Sequence, residues 1–285
     1  MRFFLISSKH LEQSLWFRDA EDFIVAMNYI AVLSVTAGVN ILAFILMSNH
    51  VHFVLECSYE EAKHFFDALK RLYGAYYHNK YGTLEPLRRN GADIHELFLA
   101  KESLERAIAY VLMNCVAANI CADPYGYPWS SISCIFNMNK TSGTRVCSIG
   151  PHRLRSIIRS KTVLPNDYIL GGGGYILPAS YIKRDFVESL YQTPKRFNYF
   201  LNNSSKAKEH LEKNAAPSFS DQLIVTASSD LCRSLFRKNT FAELEDFEKA
   251  NLINQIRRRF NSDPSQLART LEIPYPVVCQ ILDSY

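Results

Sequence analysis

The sequence predicts an α+β fold: a ferredoxin-like (RRM-like) antiparallel sheet with helices on one face, followed by a mostly helical C-terminal region ending in a helix-turn-helix-like pair. Three observations carry this expectation. Residues 3–7, 41–47 and 51–55 are apolar runs of strand length, the last two separated only by Ser48, Asn49 and His50. Between and behind these runs, apolar residues recur at helical spacing. Beyond the four glycines 171–174 the pattern becomes helical almost throughout.

Each element has its own signal. The first strand, 3–7, is stopped by Ser8 and Lys9. A helix over 20–35 follows, with Phe23, Val25, Met27, Ile30 and Val32 giving a broad apolar surface. The runs 41–47 and 51–55 make a hairpin. Ser58 and Glu61 form a capping box that opens an aromatic helix, in which Phe65, Phe66, Leu69, Leu72, Tyr73 and Tyr76 recur up to about residue 79. Residues 81–95, with Gly82, Pro86 and Gly91, read as an exposed loop, and 103–119 as a further helix. Small polar residues over 138–150 mark a boundary, dividing the chain into domains 1–150 and 151–285. The glycine run 171–174 lacks the Gly-Lys-Ser/Thr ending of a phosphate loop and reads as a turn.

A chain of 285 residues, 48% hydrophobic and 21% charged, can bury a sizeable core. Its net charge of +4 permits a nucleic-acid partner without requiring one. Seven cysteines, with no Cys-x-x-Cys pair, exclude a zinc ribbon and suit reduced thiols in a cytoplasmic protein. The apolar run near the start is too short for a signal-peptide core. Residues 29–49 are uncharged, but Gly38 and Asn40 interrupt them, so helix plus strand explains the run better than a membrane span.

The residues with most chemical content are His50 and His52. Two apart on a strand, they point to one side, as a metal site requires. Eight histidines produce such a pair by accident in about one chain in five, so context decides. The helix over 103–119 offers Tyr110 and Asn114, four apart on one face. Its apolar stripe is Leu104, Ile108, Val111, Leu112 and Cys115, and the two polar residues stand roughly 100 to 145° from the stripe's centre.

Four motifs occur in order: Met47-Ser48-Asn49-His50-Val51-His52, Leu69-Lys70-Arg71-Leu72-Tyr73, the helix from Tyr110 through Asn114 to Val116, and Tyr127-Pro128-Trp129-Ser130-Ser131. Together they resemble the REP-associated tyrosine transposases, a group of single-tyrosine HUH transposases of the insertion-sequence type. Two positions depart from the family pattern, where Cys115 and Ser48 stand in place of prolines.

The resemblance implies that 1–150 is a catalytic domain acting on single-stranded, hairpin-forming DNA. It implies that His50, His52 and Asn114 hold Mg²⁺ or Mn²⁺, and that Tyr110 is the nucleophile of a cleavage and rejoining reaction through a 5′-phosphotyrosine. The Tyr127-Pro128-Trp129-Ser130-Ser131 element is expected to be structural. Relatives include homodimers that exchange the tyrosine helix and monomers that do not. The same resemblance implies a cytoplasmic, nucleoid-associated protein.

Further DNA contacts are expected from Lys70, Arg71, Arg88 and Arg89, interleaved with Tyr73, Tyr76 and Tyr77 for stacking. In the tail, Asp263-Pro264 opens a helix and 263–283 has helix-turn-helix spacing, but its second helix contains no Lys or Arg. Arg257, Arg258 and Arg259 of the preceding helix are the better phosphate ligands there. Two other readings stay open: a catalytically decayed, DNA-binding descendant of the family, and a metal-dependent hydrolase that uses the histidine pair with water as nucleophile.

Overall fold

The computed structural model describes residues 2–8, 14–83, 91–98, 102–137, 142–205 and 219–283. Strand β1 (Phe3–Ser8) is followed by helix α1 (Ala20–Thr36), strands β2 (Asn40–Leu46) and β3 (Val51–Glu56), helix α2 (Tyr59–Tyr81) and strand β4 (Ala92–Leu97). The four strands form one sheet in the order β2-β3-β1-β4, with every neighbouring pair antiparallel. This is the ferredoxin-like layout expected from the sequence.

Caps and turns fix the element ends. The Asp19 side chain accepts a hydrogen bond from the Asp22 amide at 3.1 Å and completes a capping box at the start of α1. Ser58 and Glu61 do the same for α2, which stops at Gly82 in the left-handed conformation, φ +71°. Gly38, at φ +69°, turns the chain out of α1 into β2, so the uncharged run divides between a helix and a strand. Among the described residues, no helix is long and apolar enough to cross a membrane.

One expected loop contains a strand. Residues 92–97 pair along the whole of β1, from Phe3 opposite Leu97 to Ser8 opposite Ala92. Asp93, His95 and Glu96 break any apolar run, a composition that suits a sheet edge, where charge discourages further pairing. The other edge, β2, is covered. Leu46 N–H donates to Trp129 O at 2.9 Å near one end and Lys183 N–H to Ile41 O at 2.9 Å at the other.

The two sheet faces carry different helices. Phe53 packs its ring on Phe65 of α2, with centroids 5.1 Å apart, and α1 packs beside α2. His52, the preceding residue, faces the opposite way and meets Tyr110 of α3 (Ser103–Leu112). The expected helix 103–119 breaks at Met113 and resumes as the short α4 (Asn114–Ala117). The break occurs without Gly or Pro, and Asn114 itself hydrogen-bonds back to the carbonyls of the turn before it.

Residues 142–205 add a two-stranded sheet, β5 (Thr144–Arg145) with β6 (Ile169–Leu170), and helices α5 (Pro151–Ile158), α6 (Arg184–Tyr191) and α7 (Pro194–Asn202). The glycine run is a hydrogen-bonded turn in which Gly171 N–H donates to Tyr175 O at 2.9 Å. One continuous cluster of buried side chains extends from Phe3 to Leu201, and a second runs from Ile224 to Val278. The second joins α8 (Asp221–Phe236), α9 (Asp246–Phe260), α10 (Pro264–Leu271) and α11 (Tyr275–Asp283). Asp263 caps α10, with Pro264 in the first turn as the sequence suggests.

Candidate metal and tyrosine site

The site begins with strand parity. His50 ends the hairpin turn and His52 lies in β3, and their rings meet edge to face with centroids 4.9 Å apart. His52 is paired opposite Ser7 of β1, which is itself opposite Asp93 of β4, so the three side chains share one sheet face. Ile45 of β2 flanks His52 on the other side.

Both imidazoles are oriented through Nδ1. His50 Nδ1 lies 2.8 Å from the Asn49 side-chain oxygen, a contact that is a hydrogen bond when Nδ1 carries the proton. His52 Nδ1 is bonded to Ser7 Oγ at 2.8 Å. Side-chain partners of this kind fix ring direction in metal-ligating histidines.

Helix α3 brings the phenol. Tyr110 meets His52 edge to face with ring centroids 5.8 Å apart, within one chain. Asn114 lies one turn further, about 6 Å along the helix direction, and is 4% exposed, although its angle from the apolar stripe predicts an outward position. Its amide nitrogen donates to Tyr110 O at 2.9 Å and to Val111 O at 3.1 Å. Since only the NH₂ can donate to carbonyls, the direction of Oδ1 is fixed. Imidazole nitrogens and an amide oxygen are the neutral donor types a divalent ion accepts. Among the described residues, no group of three or more His, Cys, Asp or Glu could hold a metal ion by itself.

The thiol next to this ligand set is also engaged. Cys115 donates its thiol to Leu112 O at 3.7 Å; the neighbouring Cys121 thiol and burial raise the Cys115 pKa, while Cys115 in turn holds Cys121 below its ordinary value.

The expected DNA-facing residues divide. Tyr73, Tyr76 and Tyr77 are buried and cannot offer stacking faces. Their hydroxyls bind the segment before and within α1: Tyr73 to Trp16 O, Tyr76 to Asp22 at 2.7 Å and Tyr77 to Leu15 O at 3.0 Å. The aromatic helix is therefore a clamp on residues 15–22. Lys70 is half-buried, which lowers its ammonium pKa, and Arg71 is exposed. Arg257, Arg258 and Arg259 are all exposed at the C-terminal end of α9, where their charge also complements the helix dipole. Arg88 and Arg89 lie outside the described residues. In α11, Tyr275 and Val277 are exposed, and only Val278 is buried.

The Tyr127-Pro128-Trp129-Ser130-Ser131 element runs along β2. Tyr127 donates its hydroxyl to Leu46 O at 2.7 Å, Phe44 and Ser131 exchange backbone and side-chain hydrogen bonds, and Trp129 stacks on Phe23 of α1 at 4.8 Å.

Residues that the sequence did not single out support the histidine turn. Ser48 Oγ donates to Asp221 Oδ2 at 2.6 Å, and Asp221 also accepts from Arg269 at 2.8 and 3.1 Å and from Gln266 at 2.9 Å. Gln222 donates to Phe17 O at 2.7 Å, and Arg18 pairs with Glu272 at 2.6 Å. Helix α8 thus holds Ser48 through Asp221, which α10 supports, and Gln222 and Glu272 hold the segment before α1. Ser7 and Asp221 carry no motif of their own, and strand register was the only signal pointing to Ser7. No family model, no curated protein and no solved structure matches this chain.

Proposed function

We propose that this protein is a metal-dependent DNA strand transferase of the single-tyrosine transposase type, acting on single-stranded, hairpin-forming DNA. The observation that carries the reading is the contact of Tyr110 with His52, whose Nδ1 is held by Ser7, beside a second oriented imidazole. His50 and His52 through Nε2, and Asn114 through Oδ1, would hold Mg²⁺ or Mn²⁺. A bound ion of this kind supplies positive charge at a non-bridging phosphate oxygen, and neutral ligands leave that charge undiminished.

Within this reading, Tyr110 is the nucleophile. Its phenol oxygen forms the bond to phosphorus, the phenol proton passes to solvent, and the bond to the 3′ oxygen breaks, that oxygen leaving with the electron pair and gaining a proton. The product is a 5′-phosphotyrosine and a free 3′-hydroxyl. Attack by another 3′-hydroxyl reverses the bond changes and joins strands without ATP. His52 contributes by direction rather than by proton transfer, since its ring is fixed against both Ser7 and Tyr110.

The test is incubation with labelled hairpin-bearing single-stranded DNA and Mg²⁺ or Mn²⁺, followed by SDS electrophoresis. A protein-linked product is expected from the wild type and none from Tyr110→Phe. An equal adduct from Tyr110→Phe would remove Tyr110 from the role. Metal-dependent cutting without an adduct would replace the reading with hydrolysis, and binding without cutting would replace it with a decayed descendant.

A further inference from the structure

From Pro124 to Asn166 the sequence carries Lys140, Arg145, Arg153, Arg155, Arg159 and Lys161 but no Asp or Glu. Six positive charges in a chain of net charge +4 leave the remainder of the protein net negative. The basic character is therefore local to this segment.

The described cations are displayed on and around α5. Leu154 and Ile158 turn that helix's apolar side inward against α1, while Arg153 and Arg155 flank Leu154 on both sides. His152, Arg155 and Arg159 follow one outward stripe at spacings of three and four. Arg159 is engaged, pairing with Glu21 at 2.8 Å and lying over the Tyr76 ring. Arg145, Arg153, Arg155 and Lys161 are exposed, and their side chains make no hydrogen bond or ion pair with the described residues.

Local stability does not account for this arrangement. Arg153 places a cation in the first turn of α5, where the helix dipole disfavours it, and Arg155 with Arg159 is a like-charge pair four apart. An external polyanion would relieve both. Residues 142–166 contain no Phe, Tyr or Trp, so they offer no stacking platform for unpaired bases. Cations without aromatics suit the phosphates of a duplex.

We infer that the exposed cations on and around α5, Arg145, Arg153, Arg155 and Lys161, bind the phosphate backbone of double-stranded DNA. The choice of DNA over RNA rests on the proposed function; the polyanion assignment does not. Since α5 packs on α1, on the sheet side away from Tyr110, duplex binding and strand chemistry use separate surfaces.

The test uses the full chain and a fluorescent duplex of about two helical turns in EDTA, with anisotropy measured across a salt titration. Each lost phosphate contact reduces the slope of log K against log salt by about 0.9. Arg155→Ala should show about one such step and the fourfold Ala variant of the four cations roughly three or more. An unchanged slope in the fourfold variant, with its circular dichroism intact, would overturn the inference. Tighter binding of the same-sequence RNA duplex would overturn the choice of DNA. If the slope falls as stated but wild type forms no tyrosine adduct, the strand-transfer reading fails and this surface stands.

Discussion

Ser48, two residues before His50, donates a 2.6 Å hydrogen bond to Asp221, a carboxylate 173 residues further along the chain. Asp221 is 3% exposed and also holds Arg269 and Gln266. Removal of different members should therefore have unequal costs. Ser48→Ala leaves Asp221 with its cation and should destabilise by about 1.5–3 kcal/mol. Asp221→Ala strands Arg269 and should cost about 3–5 kcal/mol. Urea unfolding of both variants checks the order, and equal losses would show that Arg269 does not depend on Asp221.

Ser7 offers a test of the imidazole it touches. Ser7→Ala removes the oxygen at His52 Nδ1 and should weaken Mn²⁺ binding roughly 10- to 100-fold while leaving Tyr110 in position. Calorimetric titration of Mn²⁺ reads this directly. An affinity equal to wild type would take Ser7 out of the site, and no Mn²⁺ binding by wild type would sink the metal assignment itself.

The half-buried thiols Cys57 and Cys121 should react very differently. Burial and neighbouring Glu61 and Glu56 push Cys57 up to about 12, whereas the neighbouring Cys115 thiol lowers Cys121. Thiolate is the reactive form, so at pH 8 Cys121 should be alkylated by iodoacetamide well before Cys57. Timed mass spectrometry of tryptic peptides decides the order; modification of Cys57 first would contradict it.

Trp129→Ala should cost about 3 kcal/mol, because it removes the ring stacked on Phe23 and opens a void between α1 and the segment along β2. The Trp129 backbone carbonyl, which accepts from Leu46, is retained. Thermal melting would measure the loss, and a cost below about 1 kcal/mol would mean that the backbone bonds alone hold this segment.

The parts of this molecule that were readable in the sequence are those set by short-range geometry. His50 and His52 share a side because strands alternate, and Ser58 with Glu61 forms the expected cap because both partners lie within one turn. Tyr110 and Asn114 follow from helical spacing. Strand β4 was hidden because its pairing partner is ninety residues away and its own composition is charged. Tyr73, Tyr76 and Tyr77 look like stacking residues in sequence, yet the residues that enclose them lie about sixty positions earlier. Asn114 is buried although its angle on the helix turns it away from the apolar stripe.

The alternation that sends His52 to Tyr110 and Phe53 to Phe65 makes the hairpin between β2 and β3 intolerant of odd-numbered changes. One residue inserted ahead of His52, with the strand sliding by one position, turns His52 toward the α2 core and Phe53 toward the face that carries Tyr110. Two inserted residues preserve the faces. Lengthening that slides the strand is thus confined to even steps, an arithmetic constraint on the gene that arises from which way one side chain must point; an odd residue has to be taken up in the turn or in a bulge, as β2 already does between Ile41 and Ala43.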